Sequence, residues 1–149
     1  MIAIPSFTMG KKTCFNFEDH NPDFEPVVEI YNAWGSSECT SKEGNRYPIS
    51  GGKQAMSESV EGSIQKALNK GCRFGFVAGG YDDRGAFQDL FEADQTQYSP
   101  GLTAILSKEH NRTSLVEALQ ARSCYATTGE KIILGLSVAG FGIGSEVDT

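Results

Sequence analysis

Phe74-Gly75-Phe76-Val77-Ala78-Gly79-Gly80-Tyr81-Asp82-Asp83-Arg84-Gly85 is the stretch on which the fold reading turns. Its first five residues predict a buried strand, and the glycines and paired acids that follow predict a loop at that strand's carboxyl end. Folds of the α/β class place their chemistry at such ends. Asp82 and Asp83 suit a metal or phosphate site, but Arg84 carries a fixed positive charge and cannot ligate a metal. The outline is that of a hydrolase site without its full ligand set.

Working outward, Val27-Val28-Glu29-Ile30-Tyr31 is a β-branched run that predicts a second strand. It leads into the small-residue loop Gly35-Ser36-Ser37-Glu38. Val60, Ile64, Ala67 and Leu68 share one face of a 3.6-residue period, which predicts a helix capped by Ser57 or Ser59 and ended by Gly71. Shorter strands are expected at residues 2–5 and 102–106. Asn111 is expected to cap a second helix with Leu115, Ala118 and Leu119 facing inward. The cap reading is preferred over the glycosylation sequon that Asn111-Arg112-Thr113 also spells. Residues 125–129 read as a turn, and Ile132, Leu134, Leu136 and Val138 alternate as in a half-buried strand. Residues 139–149 form a glycine-rich tail. Its Gly140-Phe141-Gly142-Ile143-Gly144 lacks the following helix that a dinucleotide loop needs. This order predicts an α/β fold with a mainly parallel sheet and flanking helices, as one domain over residues 1–149.

Bulk properties narrow the functional classes. With 149 residues, 39% hydrophobic and 21% charged, the chain is long enough for one core. Its net charge of −6 and the lack of a basic run argue against a nucleic-acid partner. No apolar stretch approaches the ~20 residues of a membrane-spanning helix, so no membrane partner is expected. The four cysteines, Cys14, Cys39, Cys72 and Cys124, are widely spaced and contain no C-x-x-C pair. They read as reduced thiols of a cytoplasmic protein, and the amino terminus lacks a signal-peptide pattern.

Beyond these readings, Ala3-Ile4-Pro5, Val28-Glu29-Ile30-Tyr31, Gly75-Phe76-Val77-Ala78-Gly79-Gly80 and Gly101-Leu102-Thr103-Ala104-Ile105-Leu106 together resemble part of a known family. So does Ala118-Leu119-Gln120-Ala121-Arg122-Ser123-Cys124-Tyr125-Ala126-Thr127-Thr128-Gly129. The chain resembles the carboxyl half of a PHP-type (polymerase and histidinol phosphatase) metal-dependent phosphoesterase, within a large uncharacterised PHP-like group. The resemblance implies part of an incomplete (β/α)7 barrel. It also implies a degenerate metal site, with Ser6, Phe7 and Arg84 standing where the family carries ligands. It implies about as much chain again before Met1, and a β-sandwich after Thr149. The substitutions favour a shortened descendant over a simple truncation.

The functional expectation is a degenerate domain that is not catalytic on its own, with no cofactor. One alternative is a metal-dependent hydrolase that rebuilds a manganese or zinc site from Asp82, Asp83, Glu29 and His20. The other is a small-anion or phosphoester binder anchored by Arg84, with Ser36 and Ser37 offering further donors. Glu29 is the most unusual of these, because a carboxylate inside a buried strand needs a partner; it faces either a cavity or the outside. Partly covered edge strands lead to an expected homo-oligomer.

Overall fold

A computed structural model describes residues 1–11, 15–51, 57–80 and 98–147. Strand β1 (Val27–Asn32) is central, and its β-branched residues pack on both faces. It pairs antiparallel with the two-residue β2 (Gly35–Ser36) and parallel with β3 (Gly75–Ala78). The register sets Glu29 beside Val77 and then slips, so that Tyr31 lies beside Ala78. Helix α1 (Ile64–Asn69) lies in the crossover between β1 and β3.

A second unit follows in sequence. Strand β4 (Leu102–Ile105) leads into helix α2 (Arg112–Gln120), which returns the chain antiparallel as β5 (Cys124–Thr127), with Ile105 opposite Cys124. This unit is tied to β3 through side chains. The Thr103 hydroxyl donates to the Ala78 carbonyl at 2.7 Å, and the Cys124 thiol donates to the Phe76 carbonyl at 3.5 Å. Strands β6 (Ser137–Val138) and β7 (Phe141–Gly142) make a small hairpin of their own.

The core falls into three clusters. Val28 joins Phe17, Ile64, Ala67 and Phe74 on one face of the three-stranded sheet. Val27 and Val77 meet Cys124 on the other face. Phe7, Met9 and Ile49 form the third cluster with Trp34. Cys39, Cys72 and Cys124 are free thiols, and Cys14 lies outside the described residues.

The expected barrel-type, mainly parallel sheet does not form. Among the described residues there are three small sheets, β1–β3 is the one parallel pair, and α1 and α2 are the two α-helices. The reason lies in the connections. A parallel sheet grows by repeated crossovers, and only the β1–β3 connection is one, since α2 brings its strand back antiparallel. Residues 2–5 run beside β1 as irregular chain, with the Glu29 amide donating to the Pro5 carbonyl at 2.9 Å. Asn111 caps α2 as expected, its Oδ1 accepting from the Ser114 amide. Gly71 follows α1 with φ 88°, in the left-handed region that suits a helix stop. Residues 132–136 stand outside any sheet.

Candidate functional site

Glu29 is 7% exposed. One of its carboxyl oxygens, Oε2, accepts from the Phe7 amide at 3.2 Å and from Asn32 Nδ2 at 3.0 Å. Asn32 has no choice of orientation, because its Oδ1 accepts from the Trp34 amide at 2.9 Å and leaves the amide nitrogen for Glu29. The Ser6 hydroxyl, which donates to the Ile4 carbonyl at 3.2 Å, lies close enough to the Glu29 carboxyl to lower its pKa slightly. The other oxygen, Oε1, lies against Gly79, where a Cβ would approach it to 3.1 Å. The carboxyl therefore faces the start of the glycine loop after β3.

Burial pushes the Glu29 carboxyl's pKa above the usual glutamate range, and the bonds from Asn32 and Phe7, with the nearby Ser6 hydroxyl, offset part of that rise. Phe7 presents its amide from a left-handed backbone, φ 53°, which is unusual for an aromatic residue. Such strain persists where the surroundings fix it, and it clusters at ligand-handling sites.

The loop ends converge on the same place. The Ala33 amide donates to the Gly80 carbonyl at 3.2 Å, and the Tyr98 amide donates to the Ala33 carbonyl at 2.9 Å. The chain thus leaves and re-enters the described structure at the carboxyl ends of β1 and β3. Asp82, Asp83 and Arg84 lie outside the described residues.

His20 is elsewhere. Its Nδ1 pairs with Glu25 at 3.1 Å, and its ring packs edge-on against Phe74 and Phe17. Those rings share a cluster with Val28, and the next residue, Glu29, points to the opposite face of the strand. The sheet separates the two residues. Among the described residues, no group of three or more His, Cys, Asp or Glu is placed to hold a metal.

The two serines are engaged within the chain. The Ser37 hydroxyl is buried and accepts from the Met9 amide at 3.4 Å, and the Ser36 hydroxyl accepts from the Glu38 amide at 3.2 Å. Ser36 also lines a cavity of about 400 Å3 with Tyr31, Arg46, Tyr47 and Thr127. Residue-by-residue reading missed the row Tyr31, Tyr47 and Tyr98, whose rings meet edge-to-face with centroids 5.5 Å apart at each step. Burial, aided by the other two tyrosines, pushes the Tyr31 hydroxyl's pKa up to about 12. No short-range signal marks this row; only the return of the chain at Tyr98 assembles it.

Comparison with known proteins decides the family. The family described as "Protein of unknown function (DUF3604)" matches residues 52–147. The chain belongs to the DUF3604 family. It is 52% identical to an uncharacterised protein of Chlamydia trachomatis serovar D and 54% identical to one of Chlamydia pneumoniae, in each case over all 149 residues. An uncharacterised protein of Chlamydia muridarum is 52% identical over the same length. The chain spans 24% of the length of each of these relatives. No solved structure matches. The PHP-type resemblance is corrected by these findings: the matching family is DUF3604, of unknown function, and the described fold contains no barrel.

Proposed function

We propose that this DUF3604 chain is not catalytic on its own and serves as a binding segment for a small anion, with Arg84 as the charged anchor. The observation that carries the reading is the buried Glu29 carboxyl turned toward Gly79. Burial favours its neutral, protonated form. A carboxyl that holds its proton to higher pH than an ordinary glutamate is better placed to donate a hydrogen bond to an anion, whereas a metal site needs a carboxylate and several converging ligands. The position of His20 across the sheet supports the same reading, since it removes one ligand from the rebuilt metal site.

Thermal unfolding with inorganic phosphate as the probe tests the proposal. Phosphate is expected to stabilise the protein, by about 2.7 kcal/mol at a hundredfold excess over its Kd. Arg84→Ala is expected to abolish that stabilisation. The same preparations are offered manganese or zinc and a generic phosphoester. Stoichiometric metal together with turnover that Glu29→Gln removes would establish the rebuilt hydrolase instead. A phosphate response that survives Arg84→Ala would remove the proposed anchor.

A further inference from the structure

Residues 132–141 carry an apolar surface that the described residues leave uncovered. Ile133 is fully exposed, Leu136 and Val138 are 62% and 60% exposed, and Ile132, Leu134 and Phe141 are about half exposed. The segment is nevertheless held at both ends. On one side the Tyr125 hydroxyl donates to the Ile132 carbonyl at 2.7 Å and accepts from the Leu134 amide at 3.1 Å. On the other, Glu146 bridges Arg122 and Arg73 at 2.6 and 3.2 Å, and Ser123 bonds to the Ile143 carbonyl. Between these anchors the strap stands over Phe74, Phe76 and Tyr125, and the groove between them measures about 640 Å3 and is mostly apolar.

Two observations identify the occupant. Ile132, Leu134, Leu136 and Val138 alternate as a strand does, yet residues 132–136 have no strand neighbour among the described residues. The chlamydial relatives match this chain, strap included, over all 149 residues, and that match covers 24% of each relative's length. We infer that the strap and its groove are a docking surface for apolar polypeptide from the portion of a relative-length chain outside the matched quarter. The incoming segment pairs with the strap's backbone and fills the groove with its apolar side chains. This inference does not depend on the anion reading.

Hydrogen exchange tests it, on this chain alone and on the Chlamydia pneumoniae relative carrying this chain in place of its own matching segment. The amides of residues 132–138 are expected to exchange roughly 100-fold more slowly in the chimera. Leu136→Asp is expected to lower the melting temperature of the chimera and leave that of the isolated chain unchanged. Where the chimera does not fold, the intact relative provides the same comparison at the aligned positions. Equal exchange in both settings overturns the inference. So does protection in the isolated chain that rises with its own concentration alongside dimer in sedimentation, which would assign the face to a second copy.

Discussion

At Glu29, burial and hydrogen bonding pull the carboxyl's proton affinity in opposite directions, and burial is the larger effect. The folded pKa is raised above the unfolded value, so the folded state keeps its proton over a range where the unfolded chain has lost it. The resulting stabilisation is fully present below the unfolded pKa and is lost as pH rises through the folded one. Glu29→Gln keeps an oxygen for the Phe7 and Asn32 donors and has no proton to lose. Its stability relative to the parent chain is therefore expected to increase with pH across the acidic to neutral range. Urea unfolding of both proteins over that range checks this, and a pH-independent difference would contradict the burial argument. Sequence alone marked Glu29 as anomalous, a charge inside an apolar strand. It left the side chain's direction open, because the donors come from Phe7, 22 positions away, and from the Trp34-fixed Asn32.

Helix α1 shows why periodicity overextends an element. Val60, Ile64, Ala67 and Leu68 fit one helical face, yet residues Val60–Gly62 form a 3-10 turn and the α-helix starts only after Ser63, whose hydroxyl caps it. At Gly62 the Thr8 backbone passes so close that a Cβ would overlap the Thr8 carbonyl. The Thr8 hydroxyl also donates to the Gly62 carbonyl at 2.7 Å. A tertiary crossing from 54 positions away thus sets the boundary, and no local pattern announces it. Gly62→Ala is expected to cost about 2–3 kcal/mol, because a fully buried backbone must move. An unfolding midpoint that moves by less than about 0.5 kcal/mol equivalent would show that the crossing is loose. The same limit explains two strands. Cys124–Thr127 pairs because Ile105 and its neighbours offer an edge, although residues 125–129 read as a turn. Residues 132–136 have the alternation of a strand, but the described residues offer no edge for them. By contrast, Val27–Asn32 and the Asn111 cap were legible, since β-branched content and capping chemistry act within a few residues.

For the whole molecule, the parallel β1–β3 pair brings Ser6, Phe7, Asn32 and the Gly79-Gly80 turn around one buried acid, while His20 sits across the sheet. Sequence reading grouped them as candidate ligands, Glu29 as a carboxylate inside a buried strand and His20 as the histidine near acids, and only the folded sheet separates them. Carbon-13 NMR titration of the Glu29 side-chain carboxyl, with and without phosphate and then with manganese replaced by diamagnetic zinc, examines this arrangement directly. A bound anion favours the protonated acid, and a bound cation favours the carboxylate. The expected result is a titration above the range of the exposed glutamates, moved higher still by phosphate and unaffected by zinc. A titration within the ordinary glutamate range, or one driven down by zinc, would contradict the proposal that burial raises the proton affinity of Glu29 at an anion site.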